Sequence, residues 1–138
     1  MSVIEGLIRK EGDNTLSFGD YTLEQKSKVS DFEFVGDIYK VKTFKEITKL
    51  EKNECFVYES VPGTVVNHFK DTAELVEFEV EGVEDAQITL ELEPEQEYEV
   101  YVDANLVGIM KTNLGGKLSL GVSLEEGKGI SVKVVRIG

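Results

Sequence analysis

A single histidine, His68, and a single cysteine, Cys55, limit what this chain can do chemically. One histidine excludes a metal site built from several imidazoles and leaves one side chain for proton transfer near neutral pH. His68 follows a turn signal in "VVNHFK" and reads as a surface or half-buried strand residue. Cys55 opens the strand-like run "CFVYES" and is expected to be a buried, inert thiol. A Cys55–His68 nucleophile pair has the right residue types, but no local pattern supports it. Carboxylates are abundant, and two of them could flank a glycosidic bond. From Glu74 to Glu99, however, they recur mostly at alternate positions, the pattern of a solvated acidic sheet face. No D-x-D-x-D-G calcium loop, no G-x-x-x-x-G-K-[ST] and no G-x-G-x-x-G is present. No residue is therefore assigned to catalysis, to a metal or to a cofactor.

Aromatic rings are the remaining candidates, because the apolar faces of sugars stack on flat side chains. The chain has no tryptophan and five tyrosines. Tyr101 is out of phase with the inward-reading Tyr98, Val100 and Val102, so it faces a second layer, a partner subunit or solvent. Tyr101, Tyr39 and Tyr58 are taken as candidate ligand or partner contacts.

The elements that would hold these residues are strands. Apolar residues recur with a spacing of two almost everywhere, and a spacing near 3.6 is nowhere sustained. In "ELVEFEVEG" Val76, Phe78 and Val80 oppose Glu77, Glu79 and Glu81. Ile88, Leu90 and Leu92 form the next inward set, then Leu118, Leu120, Val122 and Leu124, then Ile130, Val132 and Val134. The less regular first part gives strands over 3–10, 15–21, 31–34, 38–44, 47–51 and 55–60, with a turn at Asn53. "YTLEQKSKVS" is as readily extended as helical. The stretch 102–120 reads as a meander of three strands, reversed at "DAN" and again at Gly115–Gly116. One buried and one solvated face per strand predicts an all-β fold, an antiparallel immunoglobulin-like β-sandwich. Pro62 and Gly63 in "VPGTV" mark a seam between an N-terminal β extension, 1–61, and the sandwich proper, 62–138, packed as one body.

Charge restricts the partners. Fifteen basic residues against 27 acidic ones give a formal charge of −12 in 138 residues. That field repels phosphate backbones and anionic lipid, so nucleic acid and membranes are not expected partners. "MSVIEGLIRK" has neither the basic start nor the apolar run of a signal peptide, and one cysteine cannot form an internal disulfide. A cytoplasmic location is expected. Arg9 and Arg136 are expected to be surface charges.

The segment "AQITLELEPEQEYEVYVDANLVGIMKTNLGGKLSLGVSL" with "ISVKVVRIG" resembles the immunoglobulin-like accessory modules of polysaccharide-active enzymes. It does so through the run Pro94–Tyr98, the following "Y-x-V-x-x-D" strand and Gly116–Val122, with Ala104 where those modules usually have glycine. Over its whole length, through "LSFGDYTL", "DFEFVGDIYKVKTFKEITKLEKN" and "YESVPGTVV", the chain is similar to short bacterial proteins labelled endosialidase. Sialidases typically clamp a substrate carboxylate with three arginines. This chain has only Arg9 and Arg136, lacks the S-x-D-x-G-x-T-W box and is too short for a six-bladed propeller. The resemblance thus implies kinship with a non-catalytic part. Two functions follow as expectations: a non-catalytic structural protein that forms homo-oligomers, or a carbohydrate-binding accessory module with a glycan partner. A glycoside hydrolase is the enzyme class held in reserve, and no cofactor is expected.

Overall fold

The computed structural model describes residues 4–137 and is all-β, with no helix among them. The strands are β1 (Ile8–Lys10), β2 (Leu16–Phe18), β3 (Ser27–Phe34), β4 (Asp37–Phe44), β5 (Ile47–Lys52), β6 (Cys55–Val61), β7 (Val65–Asp71), β8 (Leu75–Glu81), β9 (Ala86–Glu91), β10 (Glu97–Val102), β11 (Asn105–Lys111), β12 (Lys117–Val122) and β13 (Ile130–Arg136). They form two antiparallel sheets packed as a sandwich. Sheet 1 has the order β1-β2-β7-β8-β13-β10-β11, and sheet 2 the order β12-β9-β6-β5-β4-β3. The chain draws sheet 2 as a meander from β3 to β6, then alternates between sheets. Strands from both sides of Pro62 stand in each sheet: β1 and β2 join sheet 1 beside β7, and β6 pairs with β9.

Alternation along each strand builds the core. β12 alternates exposed Lys117, Ser119 and Gly121 with buried Leu118, Leu120 and Val122, and β13 buries Ile130, Val132 and Val134. Between the sheets Phe18, Tyr58, Phe69 and Phe78 pack with ring centroids 5.4–6.1 Å apart, mostly edge to face. Such pairs add about 0.5–1.5 kcal/mol each beyond their burial. A smaller cluster of Ile4, Tyr21 and Val65 covers one corner of the outer side of sheet 1. Glu81, opposite Val65 in register, is buried there and accepts a hydrogen bond from Asn67 Nδ2 at 3.1 Å. The acidic face expected on β8 is accordingly solvated only at Glu77 and Glu79.

Several boundaries differ from expectation. The strand read over 3–10 is confined to Ile8–Lys10, because Gly6 and Leu7 take positive φ (81° and 72°); Val3 lies outside the described residues. The strand over 15–21 shortens to Leu16–Phe18, ended by Gly19 at φ 102°. β3 begins at Ser27, so the end of the ambiguous "YTLEQKSKVS" is extended. Three tight turns carry positive φ at both central residues: Val35–Gly36, Asn53–Glu54 and Asp103–Ala104. Asn105 therefore belongs to β11 and not to the turn. The stretch 102–120 is not a single meander, because β11 and β12 lie in different sheets. Asn113–Gly116 carries the chain across the sandwich, and Gly116 (φ 79°) lies so close to Leu92 that a Cβ there would stand 2.1 Å from the Leu92 carbonyl oxygen.

Candidate functional site

Histidine, serine and carboxylate side chains come together around β1, β2 and β7. His68 Nδ1 lies 2.9 Å from Asp13 Oδ2 and 3.2 Å from Thr15 Oγ1. Ser17 is buried on β2, donates from Oγ to Glu11 Oε2 at 2.5 Å and accepts the His68 backbone N–H at 3.1 Å. Arg9 Nε donates to the same Glu11 oxygen at 2.9 Å. The Ser17 hydrogen bond, then Arg9, holds the Glu11 carboxyl below the usual range, and the Thr15 hydroxyl does the same for Asp13. A nucleophile needs its hydroxyl on the imidazole and open to substrate. Ser17 meets the His68 backbone instead, and both Asp13 and Thr15 crowd one ring nitrogen. The arrangement ties β1 and its loop to β7.

A second polar group sits at one open end of the sandwich. Lys52 Nζ lies 3.7 Å from Asp37 Oδ2 and 3.9 Å from Asp71 Oδ2. A cavity of about 260 Å³ lined by Lys52, Asp71, Glu91 and Tyr98 opens on one side, and one of about 230 Å³ lined by Tyr39, Asp37 and Phe69 on the other. Burial raises the Asp71 carboxyl above its usual value, with Lys52 opposing. Both aspartates share one ammonium as an ion-paired wall between the two hollows. No three His, Cys, Asp or Glu side chains among the described residues form a set that could hold a metal ion.

The three tyrosines taken as candidate contacts are not brought together. Tyr58 is fully buried, where its hydroxyl bonds Thr64 Oγ1 at 2.8 Å. Ser60 Oγ reaches the same Thr64 oxygen at 2.8 Å, Thr48 Oγ1 donates to the Thr64 carbonyl at 3.0 Å, and Thr43 Oγ1 bonds Thr48 Oγ1 at 2.8 Å. All five side chains are buried, so this chain of hydroxyls fixes the crossing from β6 to β7 and leaves Tyr58 no reach to the surface. Burial pushes its phenol far up. Tyr39 is also buried, pushed up to about 12 by burial and by Asp37 and Asp71, and lines both the end hollow and a groove of about 660 Å³ shared with Asp31, Lys40 and Asn53. The expectation of a buried Cys55 is corrected: it starts β6 next to the Asn53–Glu54 turn, pairs with Lys52 and is exposed. Arg136 is not a simple surface charge either, since its Nε is buried without a hydrogen-bond partner.

Tyr101 stands on the outer face of sheet 1. Cross-strand pairing aligns Glu77, Lys133, Tyr101 and Leu106 in one row across β8, β13, β10 and β11. A groove of about 560 Å³ runs along it, lined by Glu77, Glu99, Tyr101, Ser131, Lys133 and Val135. The Tyr101 hydroxyl donates to Glu99 Oε1 at 3.3 Å. Beside the groove β11 forms the edge of sheet 1, where a bulge leaves Val107 unpaired between Leu106 and Gly108. Leu106, Val107 and Ile109 are 56%, 57% and 59% exposed. The sheet order, which places β11 at the end of sheet 1, is what makes this apolar strand an edge.

Comparison with protein-family models, with curated proteins and with solved structures gives no match to this chain.

Proposed function

We propose that the chain is a non-catalytic β-sandwich protein that associates with copies of itself through β11. The carrying observation is the apolar character of that one edge. Open edges recruit other strands unless they are short, bulged away or charged. β1 has three residues; β3 is bulged between Val29 and Phe32 and exposes Lys28, Asp31 and Glu33; β12 turns Lys117, Ser119 and Gly121 outward. β11 is bulged too, at Val107, but it runs seven residues, ends on Lys111 as its one charge and exposes Leu106, Val107 and Ile109. Antiparallel pairing of two β11 strands about a two-fold axis near Gly108 brings Lys111 of each copy to the Asp103–Asn105 end of the other, a favourable charge match. Six half-exposed apolar side chains contribute on the order of 5–9 kcal/mol at about half of full burial. Association costs about 4–15 kcal/mol, so the ladder hydrogen bonds decide the balance and the pairing is reversible.

Light scattering behind size-exclusion chromatography at physiological salt tests this. The expected result is a concentration-dependent dimer that becomes a monomer in the double variant Leu106→Lys, Ile109→Lys with an unchanged circular dichroism spectrum. A wild-type monomer at all concentrations would sink the proposal.

The Tyr101 groove favours a second reading, a carbohydrate-binding module of the accessory type the C-terminal part resembles. A ring flanked by two carboxylates, a hydroxyl and an ammonium has the stacking surface and the hydrogen-bonding groups that sugars need. Glycan-array binding lost in Tyr101→Ala and retained in Tyr39→Phe supports it; binding indifferent to Tyr101 removes it.

A further inference from the structure

The outer face of sheet 2 carries a charge arrangement that neither reading uses. Lys28 on β3 stands directly opposite Lys42 on β4, and Lys42 directly opposite Lys49 on β5. Their strand neighbours Val41, Thr43, Thr48 and Leu50 are buried, so these lysines point to solvent. Lys40 lies two residues along β4, and Lys26 just precedes β3. Strands are spaced by roughly 5 Å, which sets three lysines in line across about 10 Å; beside them stand Lys40, opposite Glu51, and Lys26, whose ammonium lies 5.9 Å from the Phe44 ring centre.

Like charges placed directly opposite destabilise a sheet. Here the repulsion is felt: Lys42 is held below the usual lysine value by Lys26 first, then by burial and by Lys49, Lys40 and Lys28. Among the described residues, Lys49 is the one of the five with an ion pair, to Glu51 at 3.8 Å. Five of the fifteen basic residues are thus gathered on one patch, while the other ten are spread among 27 acidic residues.

The surroundings define what fits. Along the same row the face continues from Lys49 to Glu59, Thr89 and Ser119, and Asp31 and Glu33 lie along β3. Screening at physiological salt extends only about 8 Å, so a long polyanion would run off the lysines onto an acidic surface that repels it. A compact anion with several charges would not. Lysine ammonium groups are point charges that bind phosphate oxygens, and an oligophosphate places several negative charges within about the 10 Å length of the row. We infer that the lysine row of β3, β4 and β5 binds a compact oligophosphate.

Isothermal titration calorimetry of the full chain with tripolyphosphate, at constant ionic strength, provides the test. One ion per chain is expected to bind, and Lys42→Gln is expected to weaken it about tenfold. The same substitution should leave the ligand-free melting temperature unchanged or raise it, because it relieves repulsion; a lysine kept for stability would do the reverse. A nucleoside triphosphate bound as tightly as tripolyphosphate identifies the phosphate chain as the group recognised, and tighter binding identifies a nucleotide as its source. Absence of binding, equal binding by Lys42→Gln, or citrate bound as tightly as tripolyphosphate overturns the inference.

Discussion

Thr64 has more depending on it than any other polar side chain in the core. Its Oγ1 serves both Tyr58 and Ser60, and its backbone N–H and C=O both meet Thr48 Oγ1. Thr64→Val keeps the shape but leaves buried hydroxyls unpaired, which costs the desolvation of each. A loss of about 2–3 kcal/mol in urea unfolding is expected, and a loss below about 0.5 kcal/mol would show that the hydroxyls find other partners. Asp71 is the opposite case. Its carboxyl is raised in the fold by burial, so the folded state holds the proton more tightly than the unfolded chain does. Its contribution is favourable below the ordinary carboxylate range and is lost as pH rises through the raised value. Asp71→Asn should therefore match wild type near pH 3 and be more stable at pH 7, with Asp37 still pairing Lys52; urea midpoints at both pH values check this. The outward phase of Tyr101 was legible from alternation alone. The burial of Tyr58 was not, because its strand turns Ser60 inward as well and the inward face does not read as apolar.

At the scale of elements, alternation located most strands to within one or two residues, and the turns at Asn53 and Asp103–Ala104 followed from residues that tolerate positive φ. What alternation does not encode is which strands are neighbours. The apolar edge of β11 and the opposed lysines of β3, β4 and β5 are both products of sheet order and register. Alternate lysines in "KSK" and "YKVK" were visible, but their meeting across strands was not. The crossing at Gly116 makes a further prediction. Its φ is positive, and a Cβ would collide with the Leu92 carbonyl, whose own N–H donates to the Gly116 oxygen at 2.6 Å. Gly116→Ala must shift backbone to fit. An expected loss of about 2 kcal/mol or more by thermal or urea denaturation separates it from Gly115→Ala, where the nearest atom to an added Cβ is a side-chain oxygen at 3.5 Å.

For the whole molecule, the seam at Pro62 is one of several places where the chain changes sheets. Residues 62–138 alone would lack four of the six strands of sheet 2 and two of sheet 1, baring the inner face against which Phe69 and Phe78 pack. That fragment is expected not to fold, with proteolysis and circular dichroism as the check; a protected, strand-rich fragment would show that 62–138 can fold as a separate domain. The position of β13 has a consequence for synthesis. It is inserted between β8 and β10, at the middle of sheet 1. Until Ile130–Arg136 has left the ribosome, β8 and β10 each hold an unpaired backbone edge toward the gap, and sheet 1 exists as two separate pieces. The edges of β8 and β10 therefore stay open to wrong strand pairing until β13 is made, and sheet 1 closes on the arrival of that single strand.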